Sequence, residues 1–266
     1  MITDKCRDHA EEVKKDLKKF FKANPTTLAI LTNGRPDGER YIRNKLKVAQ
    51  ELGVATHFYD VTGRSFDDVV KAIYSLTEDG VMVQMPFFDN AEDNELLSRS
   101  IPTMVDVDSL NPSTKHLYGI YPATAQGIFS CFFENYCWNV GVIGRSKLVG
   151  DPLANLLMHS DNTVVVCHSQ SEEHWSLLQH CDAIVSATGT TTFDLTSKKW
   201  LEQSNVGIVV DVGIRVDDDG KLRGDVDKAL YSMAGVAFTP VPGGVGLLTT
   251  TYLYWNLMKL KEAQNK

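Results

Sequence analysis

Hydrophobic residues in the first part of the chain recur alternately at a helical spacing and in short unbroken runs. The runs predict strands at residues 27–32, 55–61 and 81–85, and the helical spacing covers residues 4–23, 38–52 and 65–76. Ser65 precedes an acidic first turn and is the expected N-cap of the third helix. Strands and helices that alternate in this way predict three βα units, and hence a parallel sheet with right-handed crossovers.

A second series of apolar runs follows residues 106–125, a stretch typical of a loop. It contains Pro112 and Pro122 and is the predicted domain junction. Residues 126–137 are predicted to be helical, and residues 249–263 are predicted to form one amphipathic helix. Further strands are predicted at residues 139–143, 163–167, 183–186, 206–210 and 236–239. The second half is therefore also expected to be α/β.

Composition narrows the class of protein. The chain has 266 residues, enough for one large domain or two ordinary ones, with 43% hydrophobic and 23% charged residues. Its net charge is −7, and its basic residues are scattered, which disfavours nucleic-acid binding. The charged N-terminal pattern does not resemble a secretory signal, and no apolar run is long enough for a membrane span, so no membrane partner is expected.

Cysteine and histidine usage argues against a metal or disulfide framework. The five cysteines are an odd number and include no CxxC pair, and the seven histidines show no HExxH spacing. This pattern predicts reduced thiols in the cytoplasm and no metal site. The cysteines are Cys6, Cys131, Cys137, Cys167 and Cys181.

Gly144 and Gly150 bound a turn between a predicted strand and a helix expected from about Pro152. Glycines there let the backbone approach a pyrophosphate, and a helix N-terminus offers unpaired N–H groups. The next strand ends at Ser169 with no carboxylate for a ribose 2′-hydroxyl, and Arg145 lies in the glycine turn. This combination favours NADP over NAD. The alternative is that Arg145 is solvated and Ser169 caps a helix.

Tyr41 and Lys45 are four residues apart and share one face of the second predicted helix, beside a buried stripe. Desolvation at such a place favours the neutral form of an amine, which then serves as a base or proton donor. The alternative is a solvated lysine that extends along the helix, as is expected for Lys47.

Three other features are candidate ligand contacts. Gln84 interrupts an apolar strand near its end, where open α/β sheets bind ligands. Asp106 and Asp108 alternate, so that one is expected to face a ligand while the other caps the junction. The glycines that follow Pro242 offer N–H groups without side chains, in a ligand-binding loop or a hinge.

Taken together, the chain resembles the methylenetetrahydrofolate dehydrogenase/cyclohydrolase (FolD) family. The matching segments follow the family's order over nearly the whole chain. They are Tyr41-Ile-Arg-Asn-Lys-Leu-Lys47, Val83-Gln-Met-Pro86, Asp106-Val-Asp108, Val142-Ile-Gly-Arg-Ser-Lys-Leu-Val-Gly-Asp-Pro152, Val166-Cys-His-Ser169, Asp211-Val-Gly-Ile214, Gly224-Asp-Val226 and Pro240-Val-Pro-Gly-Gly-Val-Gly246.

The resemblance implies a three-layer α/β catalytic domain at residues 1–120, to which a C-terminal helix at 247–266 returns. Residues 121–246 would form a Rossmann-type NADP-binding domain. It assigns catalysis to Lys45, Gln84 and Asp108, where Gln84 would be the partner of Lys45 and Asp108 would hold the pterin. Substrate binding would involve Tyr41, Val83, Pro242, Gly243 and Gly244, and cofactor binding Gly144, Arg145, Ser146, Ser169 and Ile214.

The implied function is interconversion of 5,10-methylene-, 5,10-methenyl- and 10-formyl-tetrahydrofolate by NADP-dependent dehydrogenation and cyclohydrolysis. It also implies a cytoplasmic homodimer that acts in one-carbon metabolism and purine biosynthesis. The alternatives are a dehydrogenase without the hydrolytic step, a shikimate-dehydrogenase-like oxidoreductase and a non-catalytic folate- or nucleotide-binding protein.

The chain departs from the family pattern mainly near the domain junction. Relative to the family, residues are also missing just before Asn139. The substituted positions are Val105, Ser109, Ala123, Ala125 and Leu247, of which Ser109 stands where the family has glycine. These departures bear on the balance of the two activities and on substrate affinity rather than on the fold.

Overall fold

The computed structural model describes residues 2–217 and 219–265, without the side chains of residue 3 and residues 36–41. The chain forms two compact units. The first unit contains Glu11–Ala123 and the residues from Thr250 onward. The second unit contains the residues up to Ala10 and Thr124–Thr249.

The first part of the chain alternates strands and helices as predicted. Its elements are α1 (Ile2–Ala23), β1 (Thr27–Thr32), α2 (Pro36–Leu52), β2 (Ala55–Asp60), α3 (Phe66–Tyr74), β3 (Gly80–Val83), α4 (Ala91–Ser100) and α5 (Pro112–Tyr118). The three strands form a parallel sheet in the order β2-β1-β3. Ser65 caps α3 by accepting from the Asp68 N–H, which confirms the predicted cap.

The central strand β1 is apolar from Leu28 to Leu31 because both of its faces are covered. Leu28 and Ile30 pack into one hydrophobic core, and Ala29 and Leu31 pack into another on the opposite face. Successive side chains of a strand point to opposite faces, so this run supplies both cores of a three-layer α/β unit.

The second half contains a five-stranded parallel sheet in the order β10-β7-β6-β4-β5. Its elements are α6 (Ala123–Phe132), β4 (Asn139–Ile143), α7 (Gly150–Met158), β5 (Thr163–Cys167), α8 (His174–Leu178), β6 (Ala183–Ser186), α9 (Lys198–Gln203), β7 (Ile208–Asp211), β8 (Arg215–Val216), β9 (Leu222–Arg223), β10 (Ala237–Phe238) and α10 (Val245–Gln264), with 3-10 helices at Leu195–Ser197 and Lys228–Ser232. Strands β8 and β9 form a small antiparallel pair.

Several sequence predictions were wrong in detail. The final helix is not amphipathic, because residues 251–254, 256 and 257 of α10 are all buried and together cover its whole circumference. The predicted loop at residues 106–125 contains α5, which begins at Pro112, and α4 was not predicted. The predicted helix at 126–137 lies at Ala123–Phe132. Strand β3 ends at Val83, so Gln84 follows the strand rather than interrupting it.

No helix in the described part of the chain combines the length and apolar character needed to cross a bilayer. In that same part of the chain, no three or more His, Cys, Asp or Glu side chains come together in a group that could hold a metal ion.

Candidate active site

Lys45 and Asp108 form an ion pair in the first unit. The amine Nζ of Lys45, on α2, lies 3.9 Å from Oδ2 of Asp108, and their side chains are only 13% and 19% exposed. Lys47, two residues along the same helix, is exposed, as was predicted. The lysine is therefore paired with a carboxylate rather than solvated along the helix.

The neighbouring Asp106 is turned into the protein. Its carboxylate accepts hydrogen bonds from the backbone N–H groups of Leu110 and Asn111 and from Oγ1 of Thr114. It is fully buried, and burial raises its pKa to about 7. The two aspartates therefore face opposite ways, as their alternation predicted, because Asp106 caps the following turn while Asp108 faces Lys45. A ligand contact of Asp108 stays a prediction.

Burial raises the pKa of Asp108, and the positive charge of Lys45 opposes that increase. Desolvation of two charges costs free energy that an ion pair at 3.9 Å recovers only in part. Charged groups held at such a cost are typical of functional sites rather than of structural ones.

Gln84 follows β3, and its side chain is incompletely satisfied. Its Nε2 donates to the carbonyl of Met85 at 3.1 Å, whereas its Oε1 is buried and has no hydrogen-bond partner among the described residues. Within that same described set, no hydrogen bond joins Gln84 to Lys45, so the expected partnership is not present. An unpaired buried oxygen is costly and marks a place where a ligand group can donate.

The remaining first-unit candidates differ in how much they can contribute. Val83 is buried in the core of the sheet, so only its backbone is available to a ligand. The side chain of Tyr41 lies outside the described residues. One contact was not predicted at all, since the hydroxyl of Tyr254 on α10 donates to the backbone carbonyl of Lys45 at 2.6 Å. The sequence gives no signal for this contact, because a tyrosine in an apolar helix is more often a core residue and Tyr254 is far from Lys45 along the chain.

In the second unit, Gly144 and Gly150 form a turn that other residues could not build. Gly144 follows β4 with φ of 113°, and a Cβ there would overlap the carbonyl oxygen of Ala187. A Cβ on Gly150 would overlap the carbonyl of Gly144. Helix α7 begins at Gly150, and its N-cap Val149 provides no side-chain hydrogen bond. The N–H groups of Gly150 and Asp151 bond to the Oγ and the carbonyl of Ser146, at 3.5 and 3.1 Å, which closes the turn on itself. The close backbone approach that the two glycines permit is the feature that fits the pyrophosphate of a dinucleotide.

The other predicted cofactor residues follow the carboxyl ends of three strands of one sheet. Arg145 and Ser146 follow β4, Ser169 follows β5 and Ile214 follows β7, and all four are exposed. Strand β4 lies between β5 and β6, so the chain reverses direction across the sheet there, which is where such sheets bind ligands. Ser169 is not a helix cap, because the N-cap of α8 is Glu173.

Two buried carboxylates fix the loop that carries Ile214. Asp211 accepts from the backbone N–H groups of Asp225 and Val226, at 2.8 and 3.0 Å, and burial raises the pKa of Asp211 to about 7. Gly213 packs directly against the Asp225 carboxylate and leaves no room for a Cβ. The loop is therefore held by backbone and carboxylate contacts, while Ile214 remains exposed.

The segment Pro242 to Gly244 also belongs to the second unit. Gly243 has φ of 103°, and a Cβ on Gly244 would lie 2.6 Å from the carbonyl oxygen of Pro240. Both positions therefore require glycine. Pro242 and Gly243 are exposed, so this loop presents backbone rather than side chains.

A glycine turn at the reversal point of a parallel sheet defines the second unit as a dinucleotide-binding domain. The first unit, with its half-buried lysine and carboxylate, has the features of a catalytic domain. The class is therefore a dinucleotide-dependent α/β enzyme.

Comparison with known proteins identifies the family. Residues 2–108 match the catalytic domain of tetrahydrofolate dehydrogenase/cyclohydrolase, and residues 122–265 match the NAD(P)-binding domain of the same family. The bifunctional protein FolD of Lactobacillus acidophilus is 36% identical over 269 residues, covering 96% of this chain and 93% of that protein.

Solved structures agree with that comparison. The bifunctional 5,10-methylenetetrahydrofolate dehydrogenase/cyclohydrolase of Thermoplasma acidophilum has a TM-score of 0.85 at 27% identity, covering 97% of each chain. The Trypanosoma brucei FolD, solved with NADP cofactor and inhibitor, has a TM-score of 0.81 at 25% identity, covering 98% of this chain and 97% of that one.

The chain belongs to the tetrahydrofolate dehydrogenase/cyclohydrolase family. The predicted family, the two-domain α/β fold and the bifunctional dehydrogenase/cyclohydrolase activity are confirmed. A dehydrogenase without the hydrolytic step, and a shikimate-dehydrogenase-like enzyme, are not favoured by these matches.

Proposed function

We propose that this enzyme oxidises 5,10-methylene-tetrahydrofolate with NADP and hydrolyses the resulting 5,10-methenyl cation at Lys45. The observation that carries the proposal is the half-buried ion pair between Lys45 and Asp108. The unpaired Oε1 of Gln84 supplies an additional acceptor. An amine, a carboxylate and an amide oxygen are sufficient to hold a reduced pterin and move a proton.

The dehydrogenase step requires positioning rather than a side-chain base. When bound, NADP accepts the hydride of the methylene carbon, and the positive charge that forms is delocalised over two nitrogens of the substrate. The protein must hold the folate in a reactive orientation. We assign this task to the Pro242–Gly244 backbone, to the backbone of Val83 and to Tyr41.

The cyclohydrolase step requires proton transfer. Water attacks the methenyl carbon, one C–N bond to the ring breaks, and 10-formyl-tetrahydrofolate and a proton are formed. The Lys45 ammonium, paired with Asp108, donates a proton to the departing ring nitrogen, and the amine so formed takes a proton back from the added hydroxyl group as the formyl group forms. The other proton of the attacking water is the one released. Gln84 Oε1 accepts a hydrogen bond from the water or the amine, and Asp108 accepts hydrogen bonds from the pterin.

The choice of NADP rests on the residues after β4 and β5. Arg145 and Ser169 are both exposed, which supports their assignment to a 2′-phosphate, and we assign Ser146 and Ile214 to the other contacts of the dinucleotide. Residues 168–171 contain no carboxylate to compete with that phosphate. The structural relative from Trypanosoma brucei was also solved with NADP.

The predicted domains are part of this proposal: residues 1–120 and 247–266 bind folate, and residues 121–246 bind NADP.

A homodimer is also proposed, and the five-stranded sheet offers a surface for it. Strand β5 is an open edge of the five-stranded sheet, and Val166 on it is 41% exposed.

Unpaired thiols at all five cysteines are consistent with the cytoplasm, where 10-formyl-tetrahydrofolate would serve purine biosynthesis.

A spectrophotometric assay of the purified protein tests the proposal. 5,10-Methylene-tetrahydrofolate is supplied with NADP or with NAD, and formation of the reduced nicotinamide is followed. Separately, the disappearance of 5,10-methenyl-tetrahydrofolate is measured without cofactor. We expect both activities, with kcat/KM at least about tenfold higher for NADP than for NAD. Equal use of NAD would contradict the cofactor assignment, and absence of methenyl hydrolysis would contradict the role of Lys45.

A further inference from the structure

A hydroxyl group of the final helix donates a hydrogen bond to the backbone of the lysine-bearing helix. Tyr254 on α10 is fully buried, and its Oη donates to the backbone carbonyl of Lys45 at 2.6 Å. Both residues belong to the first unit. A buried phenol requires a hydrogen-bond partner, whereas phenylalanine would fill the same space without one.

The Lys45 carbonyl that accepts this hydrogen bond lies inside helix α2. The carbonyl of Lys45 and the N–H of Ala49 are the two groups that a regular turn of helix α2 joins to each other. A carbonyl oxygen has two lone pairs, so the Tyr254 hydroxyl is a second donor to it, from outside the helix. Tyr254 therefore acts on the backbone at the residue that carries the amine.

Tyr254 keeps its proton, so it stays a donor. Burial raises the pKa of Tyr254, and the nearby carboxylate of Asp108 raises it further. At neutral pH the hydroxyl is thus protonated and donates to the carbonyl of Lys45.

The same helix also holds the carboxylate side of the pair. Nδ2 of Asn256 donates to the carbonyl of Val107, the residue before Asp108, at 2.8 Å, and to the carbonyl of Tyr121 at 2.9 Å. Helix α10 therefore anchors the backbone beside both members of the Lys45–Asp108 pair. Two anchors on one rigid element fix the separation of the groups they hold.

We propose that Tyr254 is a positioning residue for the cyclohydrolase reaction, which sets the place of the Lys45 amine relative to Asp108 and the attacking water. This inference rests on the proposed role of Lys45. The dehydrogenase step uses no side-chain base in that proposal, so it is not expected to depend on the hydroxyl.

The test compares Tyr254→Phe with a matched control, Tyr59→Phe. Tyr59 belongs to the same unit, and its hydroxyl donates to Oε1 of Glu78 at 2.6 Å instead. Both activities of each variant are measured at saturating substrate, at a temperature well below the measured Tm. For Tyr254→Phe we expect kcat of methenyl hydrolysis to fall about fivefold, with unchanged KM and with dehydrogenase kcat within about twofold of the wild type. Tyr59→Phe is expected to leave the ratio of the two activities unchanged.

If Tyr254→Phe leaves the ratio of the two activities unchanged, whether both fall equally or neither falls, the hydroxyl serves stability alone and the inference is overturned. Lys45→Met, assayed in parallel, separates this failure from failure of the proposed function. If Lys45→Met abolishes hydrolysis while Tyr254→Phe behaves like Tyr59→Phe, only the role of Tyr254 is wrong. If Lys45→Met hydrolyses normally, the role of Lys45 is wrong, and that of Tyr254 with it.

Discussion

The two units of this enzyme present different kinds of group to their ligands. The first unit holds its candidate groups as side chains with little exposure, as in the Lys45–Asp108 pair. In the second unit, the candidate side chains are exposed, and the binding geometry lies in a backbone that only glycine can form at Gly144 and Gly150.

This difference follows from the tasks of the two units. Proton transfer depends on the charge and desolvation of particular side chains, so those side chains are surrounded by protein. Phosphate binding depends on N–H groups that must approach an anion closely, so side chains are removed. Substitutions should therefore act through chemistry in the first unit and through the space around the backbone in the second.

The largest effect on the second unit is expected from Gly150→Ala, because the new Cβ would overlap the carbonyl of Gly144. We expect dehydrogenase kcat/KM to fall at least about 100-fold, while hydrolysis of supplied methenyl-tetrahydrofolate persists. Gly207→Ala is the control, since its Cβ would lie 3.9 Å from its nearest neighbour, the carbonyl oxygen of Asp182. Unimpaired use of NADP by Gly150→Ala would contradict the backbone account.

A smaller effect is expected from Arg145→Ala, which removes an exposed side chain. We predict that KM for NADP rises about tenfold and that KM for NAD changes less than about twofold, because only NADP carries the 2′-phosphate. Thermal stability should be unchanged. A parallel loss with both cofactors would instead place Arg145 at the pyrophosphate.

The pH dependence of stability should be shared by the two units, since each contains a buried carboxyl group with a pKa of about 7, at Asp106 and at Asp211. Both values are raised, so between about pH 4 and pH 7 the folded protein retains protons that the unfolded chain has released. Stability should therefore fall as pH rises through that window and level off above it.

Scanning calorimetry from pH 5 to pH 8 should show Tm falling by a few degrees. Asp106→Asn should reduce the fall of Tm with pH in the first unit, and Asp211→Asn should reduce it in the second unit. A Tm that rises over the same range in both variants and in the wild type would show that these carboxyl groups are ionised in the folded protein.

The smallest effect concerns Ser109, which stands where the family has glycine and adopts φ of 52°. Its Oγ donates to the carbonyl of Ile120 at 2.8 Å, and this offsets the cost of the left-handed backbone. Both Ser109→Gly and Ser109→Ala lose that bond, but only glycine relieves the backbone. We expect Ser109→Gly to be more stable to urea than Ser109→Ala by about 1 kcal/mol.

Ser98 provides the opposite case, because it lies within helix α4. There Ser98→Gly should be less stable than Ser98→Ala by about 1 kcal/mol. The same order at both positions would contradict the account of Ser109.

The local sequence was sufficient to predict much of the fold. The strands predicted at residues 139–143, 163–167 and 183–186 have those bounds in the structure, because each consists mainly of a short run of apolar residues. Helix α10 was misjudged because its burial on all sides depends on partners such as Lys45 and Val107, which are remote in sequence.

The candidate site was predictable as a set of residues but not as an arrangement. The resemblance to the family supplied Lys45, Gln84 and Asp108, yet their geometry differs from the expected pairing, since Lys45 lies beside Asp108 and Gln84 is bound to the carbonyl of Met85. Side-chain distances across separate elements depend on packing, which no local pattern encodes. The same reason hid the contact of Tyr254.

Comparison of Lys45→Met with Lys47→Met tests the central claim most directly, because both lysines lie on α2 and only Lys45 is paired with Asp108. We predict that Lys45→Met slows single-turnover hydrolysis of methenyl-tetrahydrofolate at least about 100-fold. Its substrate affinity and dehydrogenase rate should remain within about threefold of the wild type. Lys47→Met should match the wild type in all three. Hydrolysis at the wild-type rate in Lys45→Met would contradict the assignment of the amine.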